Sequence, residues 1–406
     1  MPLPASGRLD IDLLERRALA LLPDFLPAAV ELRRAIHQEP RVGGDEDDTR
    51  ERIIAELGDD SVERAHGGFL LRVGAQHGPA IAIRSELDAL PIQERSDVPW
   101  RSRRDGVAHL CGHDVHMAAL SATARVVAAI GAPVPLLALY QPREEVIPSG
   151  AEDFVGDATL LRHDVRAMIG VHMQPAIPAG TVSVAPGVIN AAADNFDIVV
   201  RGRPAHGAYP HLARDPIVAA AALVQALQHV VARRIDPMNP AVVTVGRISG
   251  GEAYNQIPGE VALKGTIRTY TEADRELAHA LVRSAAESTA EVYGCVAEVT
   301  LSIGEPVLRN DEALVLRLQQ ELETIGLELR PPVRTCGADD FAYYSAIMPS
   351  LMVFLGTGDG DPRSPGLHHP RFVPDDSAIG DAARVMLLAY FAAARIQLSY
   401  GAGADD

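Results

Sequence analysis

Hydrophobic and polar positions along the 406-residue chain follow two rhythms. In the first half a helical spacing over Pro23–His37 gives way to short apolar runs at Ala80–Leu87, Val134–Gln141 and Ala167–Met173, with an Ala-rich helical stretch at Met117–Ile130 between them. Apolar runs alternating with helices imply parallel strands covered on both faces, because a crossover must bring the chain back to the same end of the sheet. The rhythm resumes late, with a strand at Ser350–Leu355 and an amphipathic helix at Ser377–Arg395. One α/β layer is therefore expected to be built from both ends of the chain.

Between these ends the order is strand Asn195–Val200, helix Pro216–Arg233, strands Ala241–Ile248 and Val261–Tyr270, helix Glu272–Val292 and strand Ala297–Ile303. That is β-α-β-β-α-β, a ferredoxin-like unit of domain size. The pattern predicts a two-domain α/β protein: a mostly parallel-sheet domain at residues 1–188 plus 304–406, interrupted by an inserted ferredoxin-like domain at 189–303. No internal repeat is visible, and Gly401–Asp406 is expected to fray.

Composition narrows the partners. With 37 Lys+Arg against 54 Asp+Glu, the formal charge is -17 and no basic cluster stands out, which argues against a nucleic-acid partner. Three cysteines in a chain this long make no disulfide framework and point to a reducing compartment. Met1–Arg17 has no apolar leader core, and the apolar stretches Ile217–Val224 and Val385–Ala394 are about half the length a bilayer crossing needs. A cytoplasmic protein with no membrane partner is expected.

Four segments carry candidate chemistry. Cys111-Gly-His-Asp-Val-His116 opens a helix, where a sulphur and an imidazole two residues apart reach one metal centre and the helix amino terminus favours the thiolate. By itself the segment also fits a small buried Cys beside a loop His. Gln141-Pro-Arg-Glu-Glu145 puts two carboxylates at the end of a parallel strand, where α/β proteins place ligands, although a solvated acidic turn has the same sequence. Gly170-Val-His-Met173 sets His172 at the same edge, and Leu367-His-His-Pro370 supplies more imidazoles in a loop after a strand. Together Cys111, His113, Glu145, His172 and one of His368 and His369 make five mixed donors. They suit two divalent ions better than one structural zinc, and leave Glu144 as a base for an activated water.

These residues, taken in order with Arg84-Ser-Glu-Leu-Asp-Ala-Leu-Pro91, Gly251-Glu-Ala-Tyr-Asn-Gln-Ile-Pro258, Gly265-Thr-Ile-Arg268 and Gly337-Ala-Asp-Asp-Phe341, resemble the M20 metallopeptidase family. The likeness is greatest to its aminoacylase, hippurate hydrolase and auxin-conjugate amidohydrolase branch. It implies a two-metal catalytic domain (Zn, Mn, Co or Ni) and a lid domain that also forms a homodimer contact. It carries metal binding onto Cys111, His113, Glu145, His172 and His368, the general base onto Glu144, and the acid that orients the metal site onto Asp88. In the lid, His206 resembles the imidazole that reaches a neighbouring subunit's site and stabilises the oxyanion, while Asn255 and Arg268 match substrate-binding residues. Glu86 stands where the family has Asp, Asp339 where it has Glu, and Pro40-Arg-Val42 replaces Pro-Glu-Leu. His116, His211 and His369 are expected to support rather than ligate.

The implied activity is hydrolysis of the amide bond of N-acyl amino acids or related conjugates by a metal-bridging hydroxide. A dipeptidase or carboxypeptidase could use the same centre, and a non-catalytic metal-dependent binding protein would keep the ligands without turnover. A cysteine-nucleophile amidase would leave the paired glutamates idle.

Overall fold

A computed structural model of the chain describes residues 10–58, 61–361 and 363–402, so part of the tail expected to fray, 403–406, lies outside the described residues. The chain forms two compact units, Met1–Gly187 with Arg309–Val333 and Tyr343–Asp406, and Val188–Leu308 with Arg334–Ala342.

The first unit is built on an eight-stranded sheet. In spatial order its strands are Glu63–Ala65, Gly68–Val73, Leu136–Gln141, Ala80–Glu86, Val165–Pro178, Ser350–Gly358, Thr181–Ser183 and Glu328–Leu329. The four central strands are parallel, and Gly68–Val73 borders them antiparallel. Every residue of Ala80–Glu86 and Leu136–Gln141 is buried, which explains why Ala80–Ile83 and Leu136–Tyr140 read as continuous apolar runs. Three long helices, Ile11–Gln38, His113–Ile130 and Ser377–Ala402, pack against one another and contribute to the same core cluster. By length and composition alone Pro216–Arg234 and Ser377–Ser399 could cross a membrane, but 83% of the second helix's apolar window is buried inside the protein, as in a core helix.

Three elements differ from the sequence pattern in ways that bear on the site. The first helix begins at Ile11, with the Asp10 carboxylate accepting from the Leu13 amide at 3.0 Å, and runs through Pro23 and Pro27. Pro23 suggested a start, but the buried stripe Ala18, Leu22, Ala29, Leu32 and Ile36 extends on both sides of it. The helix expected from Met117 begins at His113, so His113 lies in its first turn. Gly112 precedes it with φ +93, and a Cβ there would stand 2.6 Å from Met173 Cγ, so only glycine fits this turn. Finally, the strand expected to end near Met173 continues to Pro178, which makes His172 an interior strand residue.

The second unit has a four-stranded antiparallel sheet in the order Ala241–Ser249, Glu260–Thr269, Ala192–Arg201 and Val296–Ser302. Helices Pro216–Arg234 and Glu272–Val292 share its apolar core, through residues such as Leu223, Leu227, Ala278 and Val282. With the strands in chain order this is the ferredoxin-like topology. A two-stranded ribbon, Ala205–His206 with Gln256–Ile257, lies beyond the end of the sheet where Arg201 pairs with Glu260.

Candidate metal centre

The parallel strands end in loops that bring the predicted ligands of the first unit together. Cys111, His113 and His172 place their ligand atoms within 4.8 Å of one another, and so do Cys111, Glu145 and His368. The Cys111 sulphur belongs to both triples. A third set, His113, Glu144 and Glu145, meets the same criterion. Cys111 Sγ lies 3.5 Å from His172 Nε2, close to the ~3.6 Å that a thiolate and an imidazole subtend on one tetrahedral zinc.

The imidazoles are oriented by groups behind them. His113 Nδ1 is 2.8 Å from the Asp88 carbonyl oxygen, and His172 Nδ1 is 2.8 Å from the Met173 carbonyl oxygen. A carbonyl only accepts, so each Nδ1 carries hydrogen and each Nε2 is the atom available for a cation. His113 Nε2 is buried with no hydrogen-bond partner among the described residues, 3.7 Å from Glu144 Oε2. His116 differs: its Nδ1 meets Glu86 Oε2 at 2.8 Å and its Nε2 accepts from the Met173 amide at 3.1 Å. Both of its nitrogens are thus engaged. His369 Nδ1 accepts from the Arg371 amide at 3.2 Å. His368 instead points Nε2 at Glu145 Oε1, 3.0 Å away, from a backbone at φ +63. Its amide donates to the Leu110 carbonyl at 2.8 Å, tying this loop to the residue before Cys111. Uncommon backbone geometry at such a position fits a functional constraint.

Asp88 is fully buried and holds the acidic loop: its Oδ2 accepts from the Glu145 amide at 2.8 Å. Behind the helix carrying His113, Asp114 accepts from Arg33 Nε and pairs with His37 Nδ1, both at 2.9 Å. Neither Arg33 nor His37 stands out in the sequence as part of the site. The helical register placing both on the buried face of one helix was the available signal.

Electrostatics favour a cation. Burial alone would depress His113, but Glu86, Asp88 and Glu145 outweigh it and lift the imidazole to about 10. Burial also works to raise Glu145, and His368 and His113 reverse that effect, holding it below the ordinary carboxylate range. The thiol departs from expectation. Burial, reinforced by Glu145, Glu144 and Glu86, holds Cys111 well above its ordinary value. In the metal-free chain, burial beside three carboxylates outweighs the partial dipole charge of the helix amino terminus. A buried His113 nitrogen with no hydrogen-bond partner among the described residues, surplus negative charge and a mixed N, O and S donor set all fit divalent transition-metal ions.

The sequence profile of peptidase family M20/M25/M40 matches residues 82–390. The chain belongs to this family. Among M20 relatives, the N-acetyl-L-cysteine deacetylase of Bacillus subtilis (strain 168) is 35% identical over 359 residues, covering 86% of this chain and 84% of its own. The N-acetyldiaminopimelate deacetylase of Geobacillus thermodenitrificans (strain NG80-2) is 32% identical, covering 89% and 96%. A solved Bacillus subtilis structure, described as a dinuclear metal binding peptidase from the M20 family, superposes with a TM-score of 0.79 at 28% identity, covering 91% of this chain and 98% of its own. The M20 hydrolase therefore shares its fold and its enzyme class with these proteins.

The remaining predicted residues of this M20 chain lie in the second unit. His206 and Asn255 are exposed neighbours on the ribbon: His206 pairs with Gln256, and the Gly207 amide donates to the Asn255 carbonyl at 2.8 Å. His206 Nδ1 accepts from the Ala208 amide at 3.1 Å, which leaves Nε2–H as an outward donor on the neutral ring. Arg268 lies eight residues along its strand from Glu260, about 26 Å at the usual strand rise. It opposes the effect of burial on Glu305, whose carboxyl is raised. Within one chain, then, the structure brings His206 and Asn255 together and leaves Arg268 at the opposite end of the sheet.

Proposed function

We propose that this chain is a metal-dependent amidohydrolase that removes the acyl group from N-acyl amino acids or similar conjugates. The observation that carries the reading is Glu144, whose carboxylate lies 3.7 Å from the unpartnered Nε2 of His113 at the edge of the five-donor cluster. Cys111, His113, Glu145, His172 and His368 would hold two divalent ions, with Zn, Mn, Co and Ni as candidates. When bound, such ions supply Lewis acidity, making water a stronger acid and the amide carbonyl more electrophilic. Glu144 takes the proton from the attacking water and returns it to the leaving amine. Asp88 keeps the acidic loop and His113 in register. His206 Nε2–H donates to the developing oxyanion, while Asn255 and Arg268 bind the substrate's polar end.

The second unit is read as the lid and dimer contact. The separation of Arg268 from His206 and Asn255 exceeds the length of a short N-acyl amino acid, so one substrate would take these residues from two chains. Ile217 and Val218 on the long helix and Ile248 on the edge strand, 44%, 47% and 51% exposed, give a homodimer apolar surface to cover. The free cysteines suit a cytoplasmic enzyme.

The experiment is a panel of N-acetyl, N-benzoyl and N-fatty-acyl amino acids, with dipeptides alongside, assayed with Mn²⁺, Zn²⁺, Co²⁺ or Ni²⁺ added. Turnover of acylated substrates that chelation abolishes and metal restores is expected. Faster cleavage of dipeptides with a free amine would instead indicate a peptidase. Metal uptake without turnover would indicate a binding protein.

Metal uptake should also release protons. In the metal-free protein Cys111 is held as a thiol and His113 as a cation at neutral pH, and both must lose a proton to ligate. Apparent affinity should therefore rise with pH, by up to about tenfold per unit for each proton displaced. Calorimetry in buffers of different ionisation enthalpy measures this release, and affinity that is flat between pH 6 and pH 8 (roughly one unit either side of neutrality) would contradict it.

A further inference from the structure

The acidic loop is held by a residue that neither the mechanism nor the ligand set includes. Glu46 stands immediately before the helix Asp47–Leu57, where a side-chain oxygen would ordinarily cap the helix, but its carboxylate makes no such cap. Glu46 is 4% exposed. It reaches away from its own helix, accepting from the Gly44 amide at 2.7 Å and from the Arg143 amide at 2.8 Å.

Arg143 is the residue before the paired glutamates and has φ +56, a left-handed conformation that L side chains disfavour. It is fixed on three sides. Its amide goes to Glu46, its carbonyl accepts from the Gly150 amide at 3.0 Å, and its guanidinium pairs with Asp153. Gly150 has no room for a side chain, since a Cβ would fall 1.9 Å from the Pro142 carbonyl oxygen. Beyond Arg143, the amides of Glu144 and Glu145 turn to Asp88. Three successive amides thus end on two buried carboxylates, and this backbone path sets where the Glu144 and Glu145 side chains emerge.

We propose that Glu46 is a positioning residue: it holds Arg143 in its left-handed turn and so aims Glu144 at the substrate and Glu145 at the donor cluster. The proposal rests on the reading of Glu144 as base and Glu145 as ligand. Without Glu46 the Arg143 amide loses its acceptor, the left-handed turn loses its restraint, and the glutamates relax away together. Displacing a reacting group by about 1 Å can cost on the order of 10²-fold in rate.

The test compares E46A, E46Q and the double variants E46A/R143N and E46A/R143G. E46A should lower kcat by about 10²-fold, leave KM within about threefold, and leave the melting temperature near that of the parent. E46Q, which keeps one accepting oxygen, should fall between. Asn and Gly tolerate positive φ, so either at position 143 should recover about tenfold of the loss in the E46A background. Independently of turnover, Co²⁺ titration of the metal-free protein should show one of two binding events weakened about tenfold in E46A, with an altered visible spectrum that R143N or R143G restores. Unchanged kcat and Co²⁺ binding in E46A would overturn the proposal. So would parallel losses of kcat and melting temperature that neither second substitution reverses, because that is mere destabilisation. If the parent protein hydrolyses no acylated substrate, the functional reading fails and the Co²⁺ titrations alone decide the role of Glu46.

Discussion

Replacing Glu144 with glutamine should lower kcat by about 10³-fold or more while the protein keeps its metal. General acid–base catalysis contributes typically about 10²–10⁴-fold, and Glu144 is assigned both proton transfers, from water and to the amine. Gln preserves shape and hydrogen bonding but cannot take a proton at neutral pH. Because Cys111, His113, Glu145, His172 and His368 are untouched, elemental analysis of E144Q should match the parent. Steady-state kinetics beside metal content checks the prediction, and full activity in E144Q would remove Glu144 from the mechanism. A drop in metal content equal to the drop in rate would recast it as a ligand.

The second large effect is expected at His206. Removing a preorganised oxyanion donor costs about 10²–10³-fold in kcat, and H206A should fall in that range with KM changed far less. The stronger expectation concerns mixing. If His206 serves a neighbouring subunit, a hybrid of E144Q and H206A contains one complete centre, combining the intact Glu144 of one chain with the intact His206 of the other. Random re-pairing of equal amounts makes half the dimers hybrid, each with one complete centre of two, so about a quarter of parental activity should return. Activity that stays at the sum of the two variants would place His206 in its own chain's site or outside catalysis. Size-exclusion chromatography at assay concentration decides whether pairing occurs at all.

Several features of the centre were legible because their chemistry is local. Cys111 and His113 share one turn at the start of a helix, Glu144 and Glu145 are adjacent, and the strands Ala80–Glu86 and Leu136–Gln141 open on apolar runs, Ala80–Ile83 and Leu136–Tyr140, because every residue in them is buried. The family motifs around them added His368 over His369. In the folded chain the Arg371 amide occupies His369 Nδ1, while His368 Nε2 faces Glu145. Less legible were the short strands Glu63–Ala65, Thr181–Ser183 and Glu328–Leu329, each too brief to show a period.

The protonation of the metal-free centre was less legible for a related reason. A helix amino terminus can be seen in a sequence, and it suggested an ionised Cys111. Burial and the number of carboxylates around the sulphur are properties of the folded chain, and they dominate. Glu46 escaped notice in the same way. As a letter it is one acid among Asp45, Glu46, Asp47 and Asp48, and only its route to the Arg143 amide, 97 residues away, separates it from its neighbours.

By itself, then, the sequence determined the α/β layer made from both ends of the chain, the ferredoxin-like strand order of the middle segment and the donor types, because periodicity and side-chain chemistry are written residue by residue. Tertiary structure decided which nitrogens of the imidazoles are engaged, how the acidic loop is held, and that His206 lies far along the sheet from Arg268. Those outcomes depend on distances between segments remote in the chain and on the field inside a buried cluster, and neither exists before the chain has folded.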